Sequence, residues 1–203
     1  MKLSIQLLQK TWYDKTIPNE DFENRLNNVA QTLIEQINTL SSIASEFSAF
    51  AKMPKTRNEE VEIVKKLKNV TALFENEKNI DISLELNGIE ELYIIADKEQ
   101  VSRVFINLVK NAVQAIPKTR KGKISIQLKK EKNKAIIIIE DNGVGISGQQ
   151  KKRLFEPSFT TKTTGMGIGL AIVKNIITTT GGNIRFESSK NKGAKFFVEF
   201  ITV

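Results

Sequence analysis

Four stretches between residues 105 and 170 determine how this sequence is interpreted: Asn107-Leu-Val-Lys-Asn111-Ala, Asp141-Asn-Gly-Val-Gly145-Ile, Phe155-Glu-Pro-Ser-Phe159-Thr-Thr-Lys162 and Gly165-Met-Gly-Ile-Gly169-Leu. Each stretch is polar or rich in glycine, and each adjoins an apolar segment. Together they supply a carboxylate, two side-chain amides, a lysine and two glycine turns. These groups can hold a purine at one end and a metal-bound polyphosphate at the other. The sequence therefore predicts a nucleotide site.

The first stretch lies in a predicted helix, in which Asn107 and Asn111 are four residues apart and project from the same face. Gln114 shares that face, and Lys110 beside it can contact a phosphate. An amide oxygen is a hard, neutral ligand that suits Mg²⁺ when the ion also contacts phosphates. Taken alone, the pair can equally be two asparagines that face solvent.

The second stretch begins with Asp141, which follows a strongly apolar strand and precedes Gly143 and Gly145. A carboxylate here can accept a hydrogen bond from the exocyclic amine of adenine, and the glycines allow the backbone to approach a base or sugar closely. The alternative is an ordinary turn that ends a strand. The dinucleotide-binding pattern that starts at Gly143 is disfavoured, because no acidic residue lies between Glu156 and Glu187 to bind a ribose. The Walker A pattern is absent from the sequence.

The fourth stretch opens a predicted helix within this acid-free segment, which also contains Lys162, Lys174 and Arg185. Three glycines alternate with other residues between Gly165 and Gly169. Backbone N–H groups at a helix start attract phosphate, and nearby acidic residues would oppose that attraction. This end of the site is therefore predicted to face the phosphates.

The third stretch lies in residues 147–164, which are predicted to be irregular and polar. Because the glycines that follow can act as hinges, the segment is predicted to be a mobile lid. Phe155 and Phe159 would attach this lid to the body of the domain. The alternative is a disordered loop with two buried phenylalanines.

Hydrophobic periodicity predicts helices and strands that mix without a strict βαβ order. The predicted helices are 2–14, 20–52, 59–74, 98–116 and 168–180, and the predicted strands are 81–86, 92–96, 123–130, 135–140, 183–188 and 194–201. Strand 135–140 is apolar on both faces, which predicts a central position. In helix 59–74 the residues expected to face inward are Val61, Val64, Leu67, Val70 and Leu73. The fold class is α+β, a two-layer sandwich in which helices cover one face of a mixed sheet, preceded by an antiparallel helical hairpin.

The long helix predicted at 20–52 carries apolar residues spaced by threes and fours, which is the pattern of a coiled-coil seam. The seam consists of Phe22, Leu26, Val29, Leu33, Ile37, Leu40, Ala44, Phe47 and Ala51. A hairpin of two such helices cannot bury this seam alone, so a dimeric four-helix bundle is expected. The alternative is packing against the domain that follows.

The composition restricts the classes of site and partner. The 203 residues contain no cysteine and no histidine, which excludes disulfides, thiolate metal sites and a histidine general base. Much of the net charge of +8 lies in the lysine-rich segments 118–123 and 129–134, which lack interleaved aromatic residues. We interpret these segments as solvated sheet edges and predict no nucleic-acid partner. Neither a signal peptide nor a transmembrane run is visible, so a cytoplasmic location is expected.

In this order and on these elements, the four stretches resemble the four boxes of the Bergerat-type ATP-binding domain of sensor histidine kinases. The superfamily also includes gyrase, the large heat-shock ATPase and the mismatch-repair ATPases. The resemblance covers residues 54–203 and implies ATP and Mg²⁺ as ligands. It implies that Asn111 binds the metal, Asp141 binds adenine, Lys162 contacts phosphate, and residues 165–170 form the phosphate-facing helix start. The other implied nucleotide contacts are Asn107, Lys110, Gln114, Gly143, Gly145, Ile146, Phe155, Thr160 and Thr161, with Gly165, Met166, Gly167, Ile168, Gly169 and Leu170 at the helix start.

Residues 1–54 resemble the end of the dimerisation and phosphotransfer domain in the nitrogen-regulatory branch of these kinases. The segment from Glu46 to Pro54 carries this resemblance, whereas the family's histidine box is missing. The resemblance implies a truncated helical hairpin at 1–54 and an ATP-binding catalytic domain at 55–203. It also implies a homodimer formed through the hairpin, a response regulator receiver domain as partner, and a parent protein that can be membrane-anchored upstream.

The implied function is transfer of the ATP γ-phosphoryl group to a histidine that this chain lacks, within two-component signal transduction. The chain alone is therefore predicted to bind ATP without phosphorylating itself. One alternative is a hydrolysing ATPase, but such relatives carry glutamate at the position of Asn107, and a neutral amide cannot accept the proton of water. The other alternative is a non-catalytic nucleotide-binding dimerisation scaffold.

Overall fold

The computed structural model describes residues 6, 19–51, 56–157, 159 and 167–203, with the side chains of the N-terminal helix described at 23–37, 40 and 41. The chain divides into two compact units. The first contains helix α1 (Asn19–Ala51), which confirms the helix predicted at 20–52. Of the helix predicted at 2–14, only Gln6 belongs to the described residues, and it is helical.

The second unit contains all described elements from residue 59 onward. In chain order they are β1 (Glu59–Glu62), α2 (Ile63–Leu73), β2 (Ile80–Glu85), β3 (Tyr93–Ala96), α3 (Lys98–Ala115), β4 (Gly122–Glu131), β5 (Lys134–Asp141), α4 (Gly148–Arg153), α5 (Gly169–Thr179), β6 (Asn183–Ser188) and β7 (Ala194–Ile201). Within the described residues, no helix is both long enough and apolar enough to cross a membrane.

Five strands form one mixed sheet in the order β2-β4-β5-β7-β6. Strands β2 and β4 are parallel, and the other three pairings are antiparallel. On one face, Ile137 and Ile139 of β5 join the core that includes Phe105 and Leu108 of α3. This arrangement confirms the predicted α+β fold with helices on one face of a mixed sheet.

The central position predicted for the apolar strand is also confirmed, because β5 lies between β4 and β7. Ile138 does not belong to the core cluster, yet it is only 7% exposed. It pairs with Phe197, over whose ring the Arg185 guanidinium lies at 3.5 Å from the centroid. A strand in the middle of a sheet is thus covered on both faces, which explains its continuous isoleucines.

The helix predicted at 59–74 is wrong at its N-terminal end, whereas its C-terminal end is confirmed by the cap at Phe74. Residues 59–62 form a strand that pairs antiparallel with β3, and the helix begins only at Ile63. The Glu62 carboxylate accepts hydrogen bonds from the N–H groups of Val64 and Lys65 at 2.7 and 2.6 Å, so it caps the helix from outside. Leu73 was expected to face inward, but it is 67% exposed in the last turn.

The irregular structure predicted for residues 147–164 is wrong for the short helix α4. The Ser147 N–H donates to the Gln150 side chain at 2.8 Å at the start of this helix. None of its residues is buried. The helix therefore leaves no hydrophobic periodicity in the sequence.

Candidate functional site

Helix α3 carries the amide-bearing face of the predicted site, which consists of Asn107, Asn111 and Gln114. Asp97 caps the helix, and one of its carboxylate oxygens accepts hydrogen bonds from the N–H groups of Glu99 and Gln100, both at 3.0 Å. Asn107 and Asn111 are half-buried, at the edge of the core-facing stripe. Beside them, Lys110 and Gln114 are exposed. The buried residues of the helix fix its rotation: Val101, Val104, Phe105, Leu108, Val109 and Ala112.

Burial of Asp97 raises its pKa, but hydrogen bonds from backbone N–H groups outweigh that effect, and the pKa lies below its ordinary value. One of these N–H groups belongs to Arg57 and donates to Asp97 at 3.0 Å. The ionised carboxylate thus fastens the residues before β1 to the start of α3.

Asp141 is the last residue of β5 and is 6% exposed. Its Oδ1 accepts a hydrogen bond from the Gly143 N–H at 2.7 Å. The Val144 N–H donates to the Ala115 carbonyl at 2.9 Å, which joins this turn to the last residue of α3. A Cβ atom on Gly143 would lie 2.6 Å from the Ala115 oxygen, so only glycine allows this approach.

Gly145 has φ +66° and packs against the connection between β6 and β7. A Cβ atom there would overlap the Ser189 carbonyl oxygen. The neighbouring Ile146 N–H donates to the Ser188 hydroxyl at 2.9 Å, and the Asn191 N–H donates to the Val144 carbonyl at 2.7 Å. The second glycine of the turn is therefore required by the backbone itself.

The start of α5 lies next to Asn107. A Cβ atom on Gly169 would lie 3.2 Å from the Asn107 Oδ1 atom. Gly167 has φ +68°, and a Cβ there would overlap the carbonyl oxygen of Phe159. Between the two glycines, Ile168 is buried, and Leu170 is half-buried in the first turn. The structure thus brings the amide-bearing face and the glycine-rich helix start into contact.

The two phenylalanines of the third stretch are both half-buried. Phe155 packs edge to face on Phe186 at 5.8 Å between centroids, with the Lys174 amine 5.4 Å above the Phe155 ring. The Arg153 guanidinium lies 4.9 Å from the centroid of Phe159. The remaining predicted site residues lie outside the described residues: Thr160, Thr161, Lys162, Gly165 and Met166.

Arg120 was overlooked in the sequence, although its side chain contacts the Asp141 turn. It donates hydrogen bonds to the carbonyls of Asn142 and Gly143. In the sequence it is one cation within a lysine-rich segment, which we interpreted as solvated. The only available signal was an arginine among lysines, since a planar guanidinium holds its N–H donors in a fixed geometry and a lysine amine does not.

The donor set suits a hard cation that a nucleotide brings with it. Within the described part of the chain, no group of three or more acidic, histidine or cysteine side chains could hold a metal ion by itself. An amide oxygen such as that of Asn111 can supply one ligand, while phosphate oxygens and water supply the others. The residues present therefore fit Mg²⁺ together with a polyphosphate better than an isolated metal centre.

Residues 96–202 match the model of the family described as Histidine kinase-, DNA gyrase B-, and HSP90-like ATPase. The chain belongs to this family. The match spans β3 to the end of β7, so it contains the helix face, the Asp141 turn and the start of α5. The superfamily predicted from the four stretches is thereby confirmed, and similarity to sensor histidine kinases within it supports the assignment to their ATP-binding catalytic region.

Members of this ATPase family with sensor-kinase names are similar to the chain over most of its length. A putative NtrY-like sensor histidine kinase of Rickettsia felis is 30% identical over 98% of this chain and 32% of its own length. The catalytic domain of the histidine kinase ThkA is 34% identical, with a TM-score of 0.64 over 71% of this chain and 95% of that domain. ThkA in complex with the response regulator protein TrrA is 25% identical, with a TM-score of 0.69 over 98% of this chain and 58% of that chain.

The chain spans about a third of the length of the curated relatives that it matches, between 28% and 37% for the first three.

Proposed function

We propose that this chain is the ATP- and Mg²⁺-binding catalytic module of a sensor histidine kinase, which transfers the γ-phosphoryl group of ATP to a histidine outside the chain. The observation that supports the proposal most directly is the proximity of the Asn107 amide to the start of α5. A Cβ atom placed on Gly169 would lie 3.2 Å from the Asn107 Oδ1 atom. The Asp141 turn joins the same helix at its last residue, Ala115, whereas Asn107 lies near the middle of the helix. One helix thereby links the Asp141 turn, which we assign to the purine end of the nucleotide, with the start of α5, which we assign to its phosphate end.

At the purine end, the Asp141 carboxylate accepts a hydrogen bond from the exocyclic amine of adenine. Gly143 and Gly145 are assigned to the backbone that approaches the base and sugar; their missing Cβ atoms leave room for the carbonyls of Ala115 and Ser189, which fixes the shape of this turn. The apolar contacts to the nucleotide are assigned to Ile146 and Phe155.

At the phosphate end, Asn111 supplies the amide oxygen for Mg²⁺. The backbone N–H groups at the start of α5 attract the phosphates, because four such groups lack partners within any helix. The remaining polar and phosphate contacts are assigned to Asn107, Lys110, Gln114, Thr160, Thr161 and Lys162, and those of the helix start to Gly165, Met166, Gly167, Ile168, Gly169 and Leu170.

Phosphoryl transfer requires the protein mainly to position the reactants and to stabilise charge. Bound Mg²⁺ would neutralise negative charge on the phosphate oxygens. The Asn107 amide can orient a group by hydrogen bonding, but it cannot accept a proton from water as a carboxylate can. Transfer to an imidazole is therefore favoured over hydrolysis. The chain contains no histidine, so it cannot be its own acceptor.

The absence of histidine also favours a second candidate function, that of a nucleotide-binding dimerisation scaffold without catalysis. The two functions differ in one measurable property, which is phosphoryl transfer to a histidine-bearing helical fragment supplied in trans. Transfer supports the kinase module, whereas tight ATP binding without transfer supports the scaffold.

We assign residues 1–54 to a truncated dimerisation and phosphotransfer hairpin and residues 55–203 to the catalytic domain. On α1, apolar seam residues are exposed in the described structure, namely Leu26 at 44%, Ile37 at 57% and Leu40 at 52%. A second copy that covers this seam would remove them from water, which supports a homodimer. The cytoplasm is the compartment that supplies ATP, and a response regulator receiver domain is the proposed partner of the full-length kinase.

The proposal is tested by incubating the chain with γ-labelled Mg·ATP and measuring both binding and acid-labile label on the protein. We expect binding, loss of affinity when a chelator removes Mg²⁺, and no label on the chain itself. Asp141→Ala should weaken ATP binding by roughly 10- to 100-fold, because a hydrogen bond to a charged group contributes about 1.5–3 kcal/mol. Asn111→Asp should also weaken binding of the Mg²⁺ complex.

The matched control is Asp81→Ala, because Asp81 is an exposed carboxylate that pairs with Lys121 at 2.7 Å. It should bind ATP as the wild type does. If both Asp141→Ala and Asp81→Ala retained wild-type affinity, the assigned purine end would be incorrect. An acid-labile label on the chain alone would refute the prediction that the acceptor lies elsewhere.

A further inference from the structure

Arg120 lies in the connection between α3 and β4, outside every segment to which a nucleotide role was assigned above. Its Nη2 atom donates hydrogen bonds to two consecutive backbone carbonyls of the Asp141 turn, those of Asn142 and Gly143, the second at 2.7 Å. The guanidinium group is planar and carries several N–H donors, so one side chain can bind two neighbouring oxygens.

The two peptide units that Arg120 contacts are fixed at both of their ends. The Asn142 carbonyl belongs to the same peptide unit as the Gly143 N–H, which donates to Asp141 Oδ1 at 2.7 Å. The Gly143 carbonyl belongs to the same peptide unit as the Val144 N–H, which donates to Ala115 at 2.9 Å. Because a peptide unit is planar, rotating either unit away from Arg120 also moves the N–H group on its other side.

Arg120 is itself held in place by its backbone. The Asn79 side-chain amide donates to the Arg120 carbonyl at 3.0 Å, and the Arg120 N–H donates to Pro117 at 3.3 Å. On the opposite side of the turn, the Asn142 side chain accepts from the Lys123 N–H at 2.9 Å and donates to the Lys121 carbonyl at 3.2 Å. The Asp141 turn is therefore tied to residues 120–123 by the Arg120 guanidinium and also by Asn142, whose backbone N–H donates to the Lys123 carbonyl at 3.2 Å.

We propose that Arg120 is a positioning residue that orients the Asp141 carboxylate for the exocyclic amine of adenine, and that it thereby sets the preference of the site for adenine. The inference rests on the function proposed above. Arg120 acts through the peptide unit of Asn142 and Gly143, whose N–H group holds Asp141 Oδ1. Loss of the guanidinium removes one of the restraints on that peptide unit while leaving the phosphate end unchanged.

The test compares binding of Mg·ATP and Mg·ITP to the full 203-residue chain by isothermal titration calorimetry. ITP carries an oxygen in place of the exocyclic amine, so its affinity reports the contacts at the phosphate end without the hydrogen bond from the amine to Asp141. The wild type should prefer ATP. Arg120→Ala should weaken ATP binding roughly three- to tenfold with little change for ITP, because one oriented hydrogen bond is affected.

Two further variants separate positioning from charge and from folding. Arg120→Lys keeps a cation but places it on a flexible stem without the planar guanidinium, so its preference for ATP should lie between those of the wild type and Arg120→Ala. Lys118→Ala removes a cation from the same connection and should bind both nucleotides as the wild type does. In an Asp141→Ala background, Arg120→Ala should have no further effect on ATP affinity, since the two residues act as one unit. Melting temperatures identify any variant that is unfolded.

Several outcomes would overturn the inference. An equal loss of affinity for ATP and ITP in Arg120→Ala would show that the guanidinium acts through its charge on the phosphates. An additional loss of ATP affinity when Arg120→Ala is introduced into the Asp141→Ala background would show that Arg120 acts independently of Asp141. An unchanged preference in Arg120→Ala, with wild-type ATP binding intact, would refute the inference alone. A wild type that binds neither nucleotide would refute the proposed function and the inference together.

Discussion

Three glycine-to-alanine substitutions test whether the start of α5 and the Asn107 amide form one site. Gly148 and Gly169 are each the first residue of a helix, and neither has a positive φ. A Cβ atom on Gly148 meets nothing within 4 Å, whereas a Cβ on Gly169 lies 3.2 Å from Asn107 Oδ1 and 3.7 Å from its Cγ. The two substitutions therefore have the same backbone effect and differ in what they contact.

Gly148→Ala should leave stability unchanged or raise it, because alanine in a helix is favoured over glycine by up to about 1 kcal/mol, and in Gly169→Ala the close contact with Asn107 opposes that gain. In Gly169→Ala, the Asn107 amide must move by a few tenths of an ångström. A misplaced hydrogen bond costs about 0.5–1.5 kcal/mol, so we expect ATP affinity to fall roughly two- to tenfold. Gly148→Ala should bind ATP as the wild type does.

Gly167→Ala should be more severe than Gly169→Ala. Its φ of +68° places alanine in the left-handed region, which costs about 1–2 kcal/mol, and its Cβ would overlap the Phe159 carbonyl. We therefore expect both a lower melting temperature and weaker ATP binding. Thermal denaturation and calorimetric titration of the three variants provide the test. If Gly169→Ala bound ATP as tightly as Gly148→Ala, the contact with Asn107 would have no role in the site.

Three further predictions concern the Asp97 cap of α3, the Asn107 amide and the apolar seam of α1. Asp97→Ala should lower the free energy of unfolding by about 1 kcal/mol at pH 7 in urea titrations. The pKa of Asp97 is lowered in the folded state, so the difference in free energy of unfolding between wild type and variant should be complete above about pH 4. It should shrink as the pH falls through the folded pKa, and a difference that stays constant with pH would contradict this account. Asn107→Glu should raise phosphate release from ATP, since a carboxylate can accept the proton of water, and unchanged negligible hydrolysis would show that the amide is not the only barrier. Ile37→Lys should dissociate the proposed homodimer in sedimentation analysis, whereas Asn27→Lys, at an exposed polar position of the same helix, should not; equal sedimentation of both variants would count against the seam.

Local sequence pattern was sufficient to predict the helices and strands that bury one face. The helix with Asp97 as its cap and the strand at 183–188 are found where the sequence predicts them. Their side chains alternate or recur at a spacing that one buried face imposes. Gly181 follows α5 and has φ +73°, a conformation that glycine adopts readily after the last turn of a helix. These features are encoded within a few residues of each other.

The errors come from interactions between distant segments. Residues 59–62 contain three glutamates and resemble a helix start, but they form a strand because β3 pairs with them across 30 residues of sequence. The parallel pairing of β2 with β4 and the contact of Arg120 with Asn142 are also non-local. Hydrophobic periodicity reports burial, not pairing partners, so it could not reveal them.

The four stretches identified the family, but the sequence alone could not show which of their residues meet. The proximity of Asn107 to Gly169 depends on how α5 lies beside α3, and the attachment of the Asp141 turn to Ala115 depends on the end of α3. Both contacts require the folded core. The roles of the individual residues in nucleotide binding remain predictions.

The central claim is that the Asp141 turn and the start of α5 bind opposite ends of one nucleotide. The most direct test is to titrate the ¹⁵N-labelled chain with a Mg²⁺ complex of a non-hydrolysable ATP analogue and to follow the backbone amides of Gly143, Gly145, Gly167 and Gly169 by NMR. We predict that all four signals shift and that they reach saturation at the same ligand concentration. Shifts confined to one pair of glycines, or two pairs that saturate at different concentrations, would contradict a single shared site.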